Sequence, residues 1–306
     1  MKKLTLIICA WLLSLCAQAQ SFVSINNDPT STAMGETGVS LAASGFSIYN
    51  NTASAALDTA TWATAYSYSP YMWDFVGGNN LHTVAGFYKF GLKHTIAAGV
   101  RYFNKANVIL TNDEGENAGV AKPTDLSVEV GYAFKINELM GVAANVRIIH
   151  SDLDISDAKG TAVGFDIGYY LHSKGLRVGI MLSNVGSKME YGSTKYDMPS
   201  WLKAGGSYEW MVADKHYLTG AVQCDYNFQP DNEKGFSTGL GVEYSYDKLL
   251  FLRGGYRLAD DLMGYNHATL GMGCNVRFVS INLAYSIARS DTPIDKTFLI
   301  SMGIKL

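Results

Sequence analysis

Between Asp125 and Ile149 the chain carries two segments in which apolar and polar side chains alternate with a period of two. In the first, Leu126, Val128, Val130, Tyr132 and Phe134 share one face, and Asp125, Ser127, Glu129, Gly131 and Ala133 share the other. In the second, Met140, Val142, Ala144, Val146 and Ile148 oppose Gly141, Ala143, Asn145, Arg147 and Ile149. Successive side chains of a strand point to opposite faces, whereas a helix would scatter both sets around its surface. With a short polar turn between them, the two segments predict a β-hairpin.

The polar face decides what kind of sheet this is. In a soluble sandwich or small barrel the inner face is an apolar core, where an unpaired Glu129 or Arg147 would be costly to desolvate. A membrane barrel inverts the pattern: its apolar face meets lipid and its polar face meets a wet or plugged lumen. The apolar stripes here carry no charge, and a Lys or Arg at mid-bilayer would cost roughly 2–4 kcal/mol. The hairpin therefore predicts a membrane barrel, provided the pattern recurs.

It does recur. Trp62 to Ser69, Leu81 to Phe90 and Thr95 to Tyr102 alternate before the hairpin. After it, Val163 to Leu171 opposes Asp166, Leu176 to Leu182 opposes Arg177, and Leu202 to Trp210 sets Lys203 and Glu209 on the polar face. Leu218 to Phe228 carries Asp225, Phe236 to Tyr244 carries Glu243, Leu250 to Tyr256 encloses Arg253, and Leu270 to Val276 is set against Asn275 and Arg277. Ile281 to Ile287 and Phe298 to Leu306 complete the series. There are about fourteen segments, each near the ~9–11 residues that a tilted transmembrane strand requires.

The connections alternate as well. Tyr71 to Asn80, Asn104 to Pro123, Ser151 to Gly160, Gly186 to Pro199 and Arg257 to His267 are long. Gly91 to Lys93, Lys135 to Glu138, His172 to Lys174, Val212 to Lys215, Ser245 to Lys248 and Phe278 to Val279 are short. Outer-membrane barrels have short periplasmic turns and longer outer loops. The expectation is an all-β, transmembrane antiparallel barrel with an even strand number and both termini periplasmic.

Composition agrees with this picture. With 19 Tyr, 31 Gly, 6 Pro and 17% charged residues, the chain suits a sheet with tight turns and aromatic girdles. Mean hydropathy is +0.04, and no stretch after the first twenty residues supplies the ~18 apolar residues of a spanning helix. A net charge of -3 gives no reason to expect nucleic acid as a partner.

Residues 1–19 read as a secretory signal: Lys2 and Lys3, an apolar run from Leu4 to Leu15, then Ala17, Gln18 and Ala19 as the cleavage site. Leu15 stands where a lipobox wants a small residue, so Cys16 does not read as a lipid anchor. Cys224 and Cys274 remain, placed by the alternation on apolar faces of separate strands, and are expected as free thiols facing lipid. Residues 61–306 form the expected barrel. Residues 20–60 are rich in small residues and lack alternation, and they are expected to enter the lumen as a plug.

Three stretches carry a family resemblance. PTSTAMGETGVSLA at Pro29 to Ala42 places Gly35 and Gly38. SIYNNTASAAL at Ser47 to Leu57 places Asn50 and Asn51, with Thr52 where the family usually has Pro. LSNVGSKMEYGSTKYDMPSWLKAGGSY runs from Leu182 to Tyr208, with Asn184, Gly186, Lys188, Met198, Pro199 and Leu202 at matching positions. The chain resembles the PorV/PorQ family of Bacteroidota outer-membrane proteins, which is similar in fold to the FadL fatty-acid channel. The resemblance implies a fourteen-stranded barrel with an N-terminal plug. It also implies work for type IX secretion, in which PorV-like members receive cargo bearing a C-terminal signal domain and pass it to a surface attachment complex. The PorV-like, PorQ-like and unassigned subgroups stay open.

Candidate chemistry is sparse. The six histidines, His82, His94, His150, His172, His216 and His267, fall mainly at strand ends without a serine motif, so no enzyme and no cofactor are expected. The acidic runs at Asn112 to Asn117 and Ser151 to Asp157 offer carboxylates for Ca²⁺ but lack EF-hand spacing, and solvated loop charge is the favoured reading. Asp125, Glu129, Arg147, Asp166, Arg177, Glu243, Arg253 and Arg277 are the candidate lumen residues, of both signs, and are expected to pair with each other and with the plug. The expected partners are outer-membrane lipid, type IX subunits and cargo signal domains. The alternative is uptake of a hydrophobic small molecule through the lumen.

Overall fold

A computed structural model describes residues 22–72, 77–112, 115–155, 158–260, 263–290 and 292–306. The candidate signal lies outside the described residues. Among the described residues eighteen strands follow one another: β1 (Trp62–Ser69), β2 (Asn80–Phe90), β3 (His94–Asn104), β4 (Val108–Thr111), β5 (Asn117–Ala121) and β6 (Thr124–Lys135). Next come β7 (Met140–Asp152), β8 (Lys159–Ser173), β9 (Leu176–Gly186), β10 (Met189–Tyr191), β11 (Thr194–Tyr196) and β12 (Ser200–Ala213). The last six are β13 (His216–Gln229), β14 (Gly235–Tyr246), β15 (Leu250–Ala259), β16 (His267–Val276), β17 (Val279–Ile287) and β18 (Phe298–Lys305).

Fourteen of these close into an antiparallel barrel, each beside its neighbour in the chain, with β1 sealed against β18. Closure removes the free edges, so every strand's backbone is paired inside the bilayer. Ala63 pairs with Lys305 and Tyr68 with Ile300 across the seam. The remaining four strands form two hairpins, β4 with β5 and β10 with β11, inside connections that the sequence pattern marks only as long.

The alternation becomes an inside and an outside. Along β6, Leu126, Val128, Val130 and Tyr132 are 38–55% exposed, while Asp125, Ser127 and Glu129 are essentially inaccessible. Charge is buried and hydrocarbon is exposed, as a lipid-facing barrel requires. Among the described residues no helix is long and apolar enough to cross a membrane. Cys224 is exposed and Cys274 half-buried, and both thiols are free.

Among the described residues three short α-helices lie inside the barrel, α1 (Pro29–Ala33), α2 (Ser47–Asn50) and α3 (Ala53–Leu57). Asp28 caps α1 by accepting from Thr30 N at 2.9 Å, and Pro29 takes the first helical position, where its missing N–H costs nothing. Phe22, Ala33, Met34, Val39, Phe46, Ile48, Ala53 and Ala55 are buried. The apolar residues of this segment thus find their core against the inner wall.

The two ends of the barrel differ. Turns such as 91–93, 174–175 and 277–278 mark one end, where Thr61 and Trp62 donate to Leu306 O. The hairpin-bearing connections mark the other.

Candidate functional site: the plugged lumen and its mouth

The candidate lumen residues group into ion-paired sets along the wall. Glu129 on β6 sits between two guanidinium groups. Arg147 Nε on β7 lies 2.7 Å from its Oε1, and Arg101 on β3 reaches the same oxygen. Arg147 continues to Asp166 on β8 at 3.0 Å and to the Asn184 side-chain carbonyl at 3.0 Å. All of these charged groups are buried, so each offsets the desolvation of the next. Asp125 forms a second buried pair, with Lys105 at 2.8 Å, and accepts from Ser151.

Asn184 interrupts β9 with a left-handed backbone, φ 60°, at a register shift opposite Asp166. Its backbone N–H donates to Asp166 Oδ1 at 2.6 Å, and its side-chain amide donates to Pro199 O at 2.7 Å. Asn tolerates this conformation better than most residues. The bulge thereby ties the wall network to the start of β12.

On the opposite wall, Arg257 of β15 lies 3.1 Å from Asp225 of β13 and 3.1 Å from Glu36 of the plug. Gln223 donates to Asp225 and accepts from Val39 N, both at 2.8 Å. Nearer the short-turn end, Arg253 pairs with Glu243 at 2.6 Å and donates to Asn282, and Glu209 holds Lys248 at 3.1 Å and Arg177 at 3.5 Å. Lys203 is half-buried on the inner face. Arg277 falls after β16, exposed and with φ 55°, in the turn 277–278, where it lines the lumen at its short-turn end.

The plug motifs meet the wall where the wall is bare. Gly35 has φ 67°, and a Cβ there would strike Leu240 O and the Tyr256 backbone. From the wall side, a Cβ on Gly239, Gly241 or Gly255 would strike the backbone of Met34 or Gly35. Gly38 packs against the side chains of Asn50 and Ser31, and Asn50 donates to Asp28 at 2.8 Å. Asn51 donates to Val39 O and Tyr169 O, with Gly168 and Gly179 of the wall against it. Thr52, the departure from the family pattern, donates its hydroxyl to Asn145 Oδ1 at 2.8 Å, a bond proline could not make. Asn145 in turn reaches Ile48 O at 3.3 Å. Arg101 donates to Val23 O at 2.8 Å, with the Tyr49 ring 4.7 Å away. Wall glycines that accept a backbone carry no sequence signal of their own, which is why the strand pattern alone does not mark this seat.

The plug divides the lumen. A cavity of about 340 Å³ opens at the long-loop end and one of about 590 Å³ at the short-turn end. Between them lies a cavity of about 70 Å³, lined by Arg101, Arg147, Arg257, Asp225 and Lys203 among others. At the long-loop mouth the β10–β11 hairpin folds inward: Met189 and Tyr191 bury against Phe22, Leu81, Phe103 and Ile149.

The histidines on the outer face act as tyrosine partners: His82 with Tyr66 at 2.8 Å, His94 with Tyr132 at 2.6 Å, His216 with Tyr244 at 2.7 Å. Among the described residues no cluster of His, Cys, Asp or Glu has metal-binding geometry. Asp113, Glu114, Ser156 and Asp157 of the two acidic runs lie outside the described residues.

Solved barrels share this architecture. A toluene transporter from Ralstonia pickettii, TbuX, superposes with a TM-score of 0.64 at 14% identity, over 91% of this chain and 98% of its own. The Pseudomonas putida toluene transporter TodX gives 0.65 at 11% identity, over 91% and 96%. A FadL homologue from Pseudomonas aeruginosa gives 0.59 at 12%, over 92% and 98%. At such identities the likeness establishes the fold. A search of curated proteins gives no match by sequence. The family model described as type IX secretion system protein PorV matches residues 14–232, more than half of the chain. This outer-membrane β-barrel belongs to the PorV family of type IX secretion system proteins.

Proposed function

We propose that this barrel is a non-enzymatic component of, or accessory to, type IX protein secretion and surface attachment, binding cargo or partner proteins at its outer loops and rim. The family match over residues 14–232 carries this proposal. In it, the long-loop end faces the exterior and both termini are periplasmic. The β10–β11 hairpin supports the rim as the working surface. Its inner side is anchored by Met189 and Tyr191, while Glu190, Lys195 and Gly192 are presented outward. A small, firmly based hairpin loses little entropy when a partner docks on it.

Uptake of hydrophobic molecules is the second reading, favoured by the shared barrel of the two toluene transporters. The centre of the lumen argues against it. An apolar solute would have to pass between buried ion pairs and a plug seated on the wall backbone, by way of a polar cavity of about 70 Å³.

The test is a gentle-detergent pull-down of the tagged protein from native outer membranes, with mass spectrometry of what is retained. Type IX subunits or proteins with C-terminal signal domains are expected, and removal of residues 188–197 is expected to release them while the barrel still inserts. Recovery of the barrel alone, carrying lipid-like molecules, would favour uptake.

A further inference from the structure

The cavity at the long-loop end combines an aromatic wall with a polar floor. Its volume, about 340 Å³, lies at the lower end of the range of small-molecule sites. Tyr71, Trp201, Met263, Tyr265, Phe298 and Leu299 line it as an aromatic and apolar wall. Glu36, Asn227, Arg257 and His267, with Thr32 and Thr297, line it as a polar floor.

That floor holds several buried polar atoms without hydrogen-bond partners among the described residues. His267 Nδ1 lies 2.7 Å from Tyr265 O, which can only accept, so Nδ1 carries a proton and Nε2 is the ring's second nitrogen. That Nε2 is buried with no hydrogen-bond partner among the described residues, 3.8 Å from Glu36 Oε1. Asn227 spends its amide N–H on Glu233 O at 2.8 Å, leaving Oδ1 buried and unpartnered. The hydroxyls of Thr32 and Thr297 are buried and unpartnered likewise. Arg257, the obvious donor, is already committed to Asp225, Ser237 and Glu36. Arg257 is charge-balanced by its two carboxylate partners, so the floor offers acceptors at Glu36 and Asn227 Oδ1, with hydroxyls that can accept or donate.

Buried acceptors require donors. An apolar solute would leave them unpaired, which a polar site penalises heavily, and an anion would meet Glu36. A cationic head supplies several N–H donors at once and is also attracted to aromatic faces. We propose that this cavity is a binding site for an organic cation, an ammonium or guanidinium group on a short apolar stem, with the head on Glu36 and Asn227 and the stem against Trp201 and Phe298. The same chemistry is carried by a free amine and by a Lys or Arg side chain of a docking protein. The site needs only the folded barrel and stands whether or not the barrel serves secretion.

The test uses the purified, detergent-solubilised protein and calorimetric titration with hexylammonium, hexylguanidinium, 1-hexanol and hexanoate. The cations are expected to bind saturably and roughly tenfold or more tighter than the alcohol or the acid, a difference of about 1.4 kcal/mol. Asn227→Leu and Glu36→Gln are each expected to weaken the cations by about tenfold, and Asn275→Leu, in the cavity at the other end, to leave binding unchanged. Glu36 also holds the plug through Arg257, so Asn227→Leu decides if Glu36→Gln misfolds. A short peptide with a central lysine that binds more tightly than hexylammonium identifies a protein side chain as the source; weaker peptide binding identifies a free amine. Hexanol or hexanoate binding as well as the cations, no saturable cation binding at millimolar concentration, or full affinity in Asn227→Leu would overturn the proposal.

Discussion

Arg147 Nε lies 2.7 Å from Glu129 Oε1, and both side chains are buried on the inner face of adjacent strands. Residues 129 and 147 are also direct partners in the β6–β7 register. Geometry alone therefore brings them together as soon as the hairpin forms. Arg101, from β3, adds the second cation to Glu129, and Asp166, from β8, adds the second anion to Arg147. Four consecutive barrel strands are cross-linked by charge on a face that elsewhere touches the plug.

Removing one member strands the others. Glu129→Ala leaves Arg101 and Arg147 facing each other without their shared carboxylate, and an uncompensated buried charge costs about 3–5 kcal/mol. The double variant Glu129→Leu with Arg147→Met keeps volume and removes both charges, so it is expected to recover much of the loss. Urea unfolding of the refolded barrel, followed by loss of the compact band on unheated gels, measures both. Equal damage from single and double variants would show that the pair is not the source of the effect.

The outer face makes the opposite demand. Val146 follows Asn145 in β7 but is 40% exposed, between Val130 and Phe165 on the neighbouring strands. Val146→Arg is expected to destabilise the barrel in lipid by roughly 2–4 kcal/mol if the residue sits near mid-bilayer depth, where a charge loses its water. The same change at Val120, 48% exposed on the β4–β5 hairpin of a long connection, is expected to cost little. Unfolding in vesicles gives the comparison, and equal costs at the two sites would contradict a lipid-facing place for Val146.

These contrasts follow from how much the sequence disclosed. The strands were legible because two-residue alternation sets charge and hydrocarbon on opposite faces, and Asp125, Glu129, Arg147 and Asp166 all follow that rule. Arg277 lines the lumen too, but from a turn beyond the strand, because alternation carries no signal for where a strand stops and a left-handed turn begins one residue after Val276. Partners were not legible either: Arg257 with Glu36, or Thr52 with Asn145, join positions separated by 221 and 93 residues, and only closure of the barrel brings them together. The β4–β5 and β10–β11 hairpins escaped notice because strands of 3–5 residues are too short to establish a period.

The plug seat gives a conductance test. A Cβ on Gly239 would strike Gly35 O, a backbone atom that cannot rotate away, while the outward-facing neighbour Leu240 would be untouched. Gly239→Val is therefore expected to lift Met34 to Glu36 off the wall without breaking the β13–β14 and β14–β15 pairing. In planar bilayers the native protein is expected to carry little ion current and the variant measurably more. An unchanged current in a folded Gly239→Val barrel would mean that this contact does not hold the plug.

Acid is expected to loosen the same contact through Glu36. Burial alone would raise its pKa, but Arg257, His267 and Lys203 outweigh that effect and hold it below the ordinary 4.5. A carboxyl whose folded pKa is depressed contributes stability that is complete above its unfolded value and is lost as pH falls through the folded one. The Glu36 contribution is thus full at neutral pH and fades below 4.5. Asp28, also in the plug, is shifted the other way: its burial outweighs the bonds from Thr30, Asn50 and Ser44 and the pull of Arg253, so its protonation favours the docked state. Glu36→Gln separates the two. Native protein is expected to gain ion current as the pH of both chambers falls below 4.5, and Glu36→Gln is expected to show a raised current at neutral pH with little further rise in acid. If Glu36→Gln retains the full acid response, another group controls the plug.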